Sequence, residues 1–322
     1  MLTKNAMPNP QRTYLILLPA LLLATTLALA FALQQHDTPS PTAPLNPVAP
    51  VAPPPANPEE LGDVHWLRDW DAAEKAARAS GKPILILFQE VPGCSNCTLF
   101  GNNTLKHFLI VEAIETHFTP LCIYNNKGGK DAETLKRFGE PAWNNPVVRI
   151  VRPDGSDIVP RMPEFRSSLP LVRQLRSSLD LSGVAVPQWF ELLEEELQSR
   201  AAGLHTATFS MYCFWSGEAL FGNIPGVIET QPGFQNGKEV VQVKYDPTRI
   251  SYEQLEAQSL PKGVTACKYN DGFRLDQEPK YYLLHSAYKN ISMTSLQACR
   301  VNSALSRSES PDIFLSPRQL KK

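Results

Sequence analysis

Between residues 61 and 183, apolar runs of strand length alternate with stretches of helical period. Pro83-Ile-Leu-Ile-Leu-Phe88 is a continuous apolar run between breakers, which predicts a buried strand. Thr119 to Tyr124 and Val147 to Val151 read the same way, the latter followed by the turn Pro153-Asp-Gly155. Around them, Trp66 to Ser80, Leu109 to His117, Asp131 to Phe138 and the amphipathic Ser168 to Leu181 predict helices, with Gly81 as the stop of the first. Strands and helices in alternation predict an α/β layer structure.

A helix from Pro187 to Ala202, ended by Gly203, leads into a stretch with a different rhythm. Here a β-rich run reaches Cys213 and gives way to a short helical pattern ending near Phe221. Val227 to Thr230, Gln231 to Phe234 and the alternating Lys238 to Tyr245 follow as strand material. Asp246-Pro-Thr-Arg reads as a turn, and Ser251 is placed to cap a helix opening at Tyr252. Lys280 to Leu284 is expected as a strand, Thr294 to Leu305 as a packing helix, and Ser306 to Lys322 as a disordered or loosely docked tail. The expected divisions are 61–183, a connecting helix over 184–203, and a second domain over 204–322.

The N-terminus has its own pattern. Lys4 and Arg12 precede a 20-residue uncharged apolar stretch, Tyr14 to Leu33. That length matches a membrane-spanning helix and exceeds the usual core of a cleaved signal, although Ala28-Leu-Ala30 offers a cleavage site. Residues 1–35 are therefore expected to act as a transmembrane anchor or signal. The basic flank would leave the rest of the chain across the membrane, in bacterial terms in the periplasm. Residues 36–60 read as an extended linker, since nine of the 29 prolines fall between Pro39 and Pro58.

With a net charge of −1 over 322 residues, nothing favours nucleic acid as a partner. The six histidines show no ligand spacing, so neither metal nor other cofactor is expected. Cysteine carries the chemistry. Cys94-Ser-Asn-Cys97 follows the first predicted strand and opens a helix, a redox arrangement in which backbone amides and the helix dipole stabilise a thiolate on the first sulfur. The second then resolves a mixed disulfide. A structural disulfide or half of a zinc site are the alternatives, and zinc lacks two further ligands. Asn145-Pro146, just before a strand, is a candidate cis bond beside the dithiol. Cys122 falls mid-strand as core. Cys213 is either a nucleophile at a strand-to-helix junction or a buried small hydrophobe. Of its neighbouring acids, Glu218 and Glu239, the latter lies among apolar strand residues and is the less expected to be a solvated charge.

Residues 61–183 resemble the thioredoxin fold through the strand–CxxC–helix order, Pro146 and the strand after it. The resemblance implies Cys94 as attacking thiol, Cys97 as resolving thiol and Pro146 as the loop proline facing them. Pro-Gly-Cys-Ser-Asn-Cys replaces the usual Trp-Cys-Gly-Pro-Cys.

The second stretch resembles peptide methionine sulfoxide reductase A. The matching pieces are Cys213-Phe-Trp-Ser-Gly-Glu218, Pro225-Gly-Val227, Gly237-Lys-Glu239-Val-Val, Tyr245-Asp-Pro247 and Ile250-Ser-Tyr-Glu-Gln-Leu255, with Asp276 to Tyr281 as a weaker one. The resemblance implies that Cys213 attacks a sulfoxide sulfur and Glu239 protonates the oxygen from a dry pocket. Phe214 and Trp215 would pack the S-methyl group, and Tyr281 and Asp276 would orient the oxygen. Three departures stand out: Ser210-Met-Tyr212 replaces small glycines, the loop before Glu239 is short, and no histidine precedes Glu239. Cys267 and Cys299 are read as a resolving cysteine or a structural disulfide.

The expected molecule is a thioredoxin-like α/β domain followed by an α+β methionine sulfoxide reductase A-like domain, behind an N-terminal membrane helix. It would reduce oxidised peptide or protein substrates and be recharged by a membrane thiol relay. Two other readings stay open: a thiol–disulfide oxidoreductase with a degenerate binding module, and a non-enzymatic peptide-binding or assembly platform.

Overall fold

Helix α1 (Trp70–Ser80) starts four residues later than its apolar period suggests. Asp69 accepts the Ala72 amide as an N-cap, and Gly81 closes the helix at φ 72° in the left-handed region. Upstream, Leu67 is instead bonded to the backbone of a later strand, donating to Pro120 and accepting from Cys122. The computed structural model describes residues 57–163, 167–259, 263–267 and 272–321. The apolar stretch Tyr14–Leu33 and the proline-rich segment up to residue 56 lie outside them. No helix among the described residues is long and apolar enough to cross a membrane.

The first sheet is built on β1 (Ile84–Gln89), whose six residues are all buried. From its end the chain enters α2 (Ser95–Asn103) and α3 (Phe108–His117), then returns as β2 (Thr119–Tyr124). Helix α4 (Lys130–Phe138), strand β3 (Val147–Val151) and helix α5 (Ser168–Leu181) complete the unit. The sheet order is β2-β1-β3, parallel between β1 and β2 and antiparallel between β1 and β3, with Leu87 opposite Cys122 and Val148. The linker ends earlier than expected. Glu59–Leu61 form a 3-10 turn, Glu60 is buried, and a Cβ on Gly101 of α2 would lie 2.0 Å from the Glu59 carbonyl oxygen.

Helix α6 (Gln188–Ala202) buries Trp189, Phe190 and Leu193 in the first core. Strand β4 (His205–Ser210) then leads to α7 (Phe214–Gly222), the hairpin β5 (Val227–Gln235) and β6 (Lys238–Tyr245), and α8 (Tyr252–Ser259). Ser251 caps α8 by accepting the Gln254 amide. Short strands β7 (Thr265–Cys267) and β8 (Arg274–Leu275) finish an antiparallel sheet of order β7-β4-β6-β5-β8. Asn236 and Gly237, both at positive φ, make the two-residue turn that joins β5 to β6.

Two expectations about the C-terminal part are corrected, and a third, the packing helix, is met. Tyr281–Leu284 form a short helix, α9, because Lys280 takes up a left-handed φ of 58° that turns the chain out of any strand. Helix α10 (Ser295–Ser306) opens with a Thr294/Gln297 capping box as a packing helix. The tail beyond Ser306 is docked, through a 3-10 turn and α11 (Pro317–Leu320). Ser316 is fully buried and its hydroxyl donates to Glu112 of α3; the Arg318 amide donates to the same carboxylate at 2.8 Å. The described residues thus form one compact unit holding both sheets.

Candidate functional site

The dithiol occupies the junction that its spacing suggests. Cys94 is the N-cap of α2, and its sulfur accepts the Cys97 amide at 3.2 Å. Cys94 is half-buried, whereas Cys97 is fully buried and its thiol donates to Asn145 Oδ1 at 3.1 Å. Burial, reinforced by the neighbouring Cys94, pushes the Cys97 thiol far above its ordinary range. The outer sulfur can therefore act first while the inner one stays protonated. Asn145-Pro146 is cis, as is Val91-Pro92, and Pro146 itself is buried. It thus adjoins the dithiol through Asn145. Cys122 is core: wholly buried, with its thiol pushed up to about 12 by that burial.

More than a hundred residues on, Cys213 is the N-cap of α7, half-buried, with its carbonyl accepting the Gly217 amide at 3.0 Å. The Asn236-Gly237 turn brings Glu239 to the same spot from β6. Its Oε2 accepts the Phe214 amide at 3.0 Å, so carboxyl group and sulfur flank one peptide unit. The short loop before Glu239, a departure at the sequence level, is what sets the acid at the hairpin end.

The aromatic residues divide. Phe214 is buried, edge-on to Phe234 at a centroid distance of 5.1 Å. Trp215 stacks on Tyr281 at 4.2 Å and donates its indole N–H to Asp276 at 3.0 Å. Tyr281 and Asp276, expected to orient a substrate oxygen, here hold Trp215.

Several site residues escaped the sequence reading. Ser216, one turn after Cys213, donates to its sulfur at 3.4 Å, and the Tyr282 hydroxyl lies 3.3 Å from Ser216 Oγ. The i, i+3 spacing of Cys213 and Ser216 was the available signal. Glu218 was named in the sequence, but its place was not. It is the fully buried acid of the pair and Glu239 the half-exposed one, the reverse of what their neighbours suggested. Glu218 accepts from the Lys280 amide at 2.6 Å and from its ammonium at 2.7 Å. That ammonium also donates to the Thr230 carbonyl at 2.5 Å. Burial pushes Glu218 above the usual carboxylate range against the pull of Lys280. Burial alone would lower Lys280, but the neighbouring Cys299 and Glu218 hold it above its ordinary value. No sequence period marks this pair, since the partners are 62 residues apart.

Cys267 and Cys299 form no disulfide. Cys299, on α10, is buried against Thr230 and Ile228 of β5. Cys267 lies on β7, three strand positions from β5, or ~14 Å at the usual strand spacing. That is beyond disulfide reach. Among the described residues, no group of three or more His, Cys, Asp or Glu could hold a metal ion.

Residues 65–153 match the family model described as Thioredoxin-like. Among curated proteins, the chain is 41% identical over 70 residues to a peptide methionine sulfoxide reductase of Salinispora arenicola, covering 16% of this chain and 32% of that relative. It is 40% identical over 74 residues to one from Rhizobium meliloti, covering 18% of this chain and 37% of the relative. For Thermoactinomyces vulgaris the identity is 41% over 66 residues, with 15% and 54% covered. The chain thus spans well under two thirds of the length of these relatives. Of solved structures, a DsbH oxidoreductase aligns with a TM-score of 0.33 and 16% identity, covering 39% of this chain and 92% of that one. The chain therefore carries a thioredoxin-like domain and a segment similar to peptide methionine sulfoxide reductases.

Proposed function

We propose that the protein is a thiol-based oxidoreductase that reduces methionine sulfoxide in peptides or proteins, with Cys94 and Cys97 as its in-chain reductant. The observation that carries this reading is the meeting of Cys213 and Glu239 at the Phe214 amide. A thiolate on Cys213 attacks the sulfoxide sulfur and Glu239 gives a proton to the oxygen. The sulfide leaves, and Cys213 is left as a sulfenic acid. Ser216, backed by Tyr282, supplies a hydrogen bond to the sulfur. The chemistry suits an exported protein tethered by Tyr14–Leu33, with the dithiol recharged by a membrane thiol relay.

Purified full-length protein, given a methionine S-sulfoxide peptide and dithiothreitol, tests this reading. Turnover lost in Cys213→Ser but only slowed in Cys94→Ser supports it; absence of turnover in the wild-type chain sinks it.

A second reading has one observation in its favour. Trp215, which would pack a substrate methyl group, is covered by Tyr281 and tied to Asp276. A module so filled would only bind clients for a thiol–disulfide oxidoreductase. Insulin-disulfide reduction unaffected by Cys213→Ser, without sulfoxide turnover, would favour it.

A further inference from the structure

A sulfenic acid on Cys213 must be resolved by another thiol, and the fold limits which. All six cysteines of the chain lie in described residues. Cys122 is sealed mid-strand in the first core. Cys299 packs at the far end of α7, where a Cβ on Gly222 would lie 3.4 Å from the Cys299 Cβ. Nine residues of helical rise, about 13 Å, separate Gly222 from Cys213. Cys267 is directly opposite Thr208, while the next residue, Phe209, points into the core against Phe221 of α7. Successive strand residues face opposite ways, so Cys267 stands on the sheet face away from α7. Neither is placed to resolve Cys213.

Only the dithiol remains, and the sheet ends that carry the two sulfurs lie away from the contacts between the halves. The two halves join through Leu192 of α6, Ile228 and Leu296, at the end of the second sheet where β4 begins. Cys213 lies beyond the opposite end of β4, about 17 Å further on at the usual rise. The tail docks on Glu112, at the middle of α3, and on Glu115 in its last turn, from which the chain runs into the start of β2 opposite Ile84. Cys94 lies past the other end of β1. Each sulfur therefore sits at the end of its sheet away from these contacts, beside unusually exposed apolar surface. Tyr212 next to Cys213 is 98% exposed, and near the dithiol Trp143 is 82% and Leu99 57% exposed.

We infer that the dithiol of one chain reduces Cys213 of a second copy directly, with no third cysteine. This rests on Cys213 being the nucleophile proposed above. The thiol of Cys94 condenses with the Cys213 sulfenic acid, forming an S–S bond and releasing water. Cys97 then attacks the Cys94 sulfur, expelling Cys213 as thiolate and leaving Cys94–Cys97 oxidised. Two electrons pass from the dithiol to the sulfenic acid. Tyr212 on one copy and Trp143 with Leu99 on the other supply the apolar surfaces that meet.

The test uses full-length reduced protein and one equivalent of hydrogen peroxide, which charges Cys213 whatever the natural substrate. A failure of methionine sulfoxide turnover is then distinguishable from a failure of the relay. In Cys97→Ser, a Cys94–Cys213 link between two chains should accumulate, visible as a doubled mass on a non-reducing gel and by peptide mapping. Mixing Cys94→Ser with Cys213→Ser chains should restore reduction of the Cys213 sulfenic acid, at a rate rising with protein concentration. Cys267→Ser and Cys299→Ala should leave that rate unchanged. A Cys213–Cys267 or Cys213–Cys299 disulfide in the wild-type map, a Cys94–Cys213 link confined to single chains, or no recovery on mixing would each overturn the inference.

Discussion

At the residue scale, Cys94 and Cys213 share one device, a cysteine at the N-cap of a helix after a strand. They differ in what surrounds them. Cys94 has a buried thiol behind it, whereas Cys213 has a carboxyl group and a hydroxyl. The burial that raises Cys97 predicts selective chemistry: iodoacetamide at neutral pH should label Cys94 and spare Cys97, as read by mass spectrometry of the reduced protein. Equal labelling would contradict the sealed position. Glu239→Gln keeps the shape of the side chain and removes its proton, so sulfoxide turnover should fall by about 100-fold or more, with binding of the peptide little changed. The CxxC spacing made the first site legible in the sequence. At the second, Cys213 and Glu239 were found by resemblance, while Ser216 and Tyr282 were missed because they act through side-chain directions that a motif does not record.

At the element scale, α7 carries Cys213, the proposed nucleophile, and α9 carries Tyr281, which covers Trp215, and Tyr282 beside Ser216. What ties them is the buried Glu218–Lys280 pair. Replacing Lys280 by Met leaves a carboxylate enclosed without its partner, which should cost about 3 kcal/mol in urea unfolding. The double variant with Glu218→Gln should lose less than the two single changes summed; strict additivity would mean that the pair is not coupled. The expectation of a strand at 280–284 failed for the same reason. Two tyrosines and two leucines have strand propensity, but a backbone amide aimed at a buried carboxylate fixes Lys280 in a left-handed turn. Tertiary context outweighs a weak local preference.

At the scale of the whole molecule, the C-terminal tail fastens the second half to α3. Removing residues 311–322 should raise amide exchange across α3 without unfolding either sheet; unchanged exchange there would exclude the tail as a fastener. The acid limb of stability follows from Glu140 and Glu115. Burial alone would raise both. Arg161 and Arg149 hold Glu140 below the usual carboxylate range, and the His65 amide with Arg318 does the same for Glu115. Because these folded-state values are depressed, the stabilisation is present above about pH 4.5, the ordinary glutamate value, and lost as pH falls through the lowered values. Urea midpoints measured between pH 7 and 3 should drop in that window, and less so in Glu140→Gln.

Strand and helix periods, together with the CxxC spacing, determined the first sheet and its dithiol from sequence alone, because local burial patterns and one helix terminus suffice to define them. Neighbours in the chain carry that information. The burial of Glu218, the docking of the tail and the meeting of Glu239 with the Phe214 amide were decided only by tertiary structure. Each depends on groups that are distant in sequence and are brought together by how the two sheets and their helices pack.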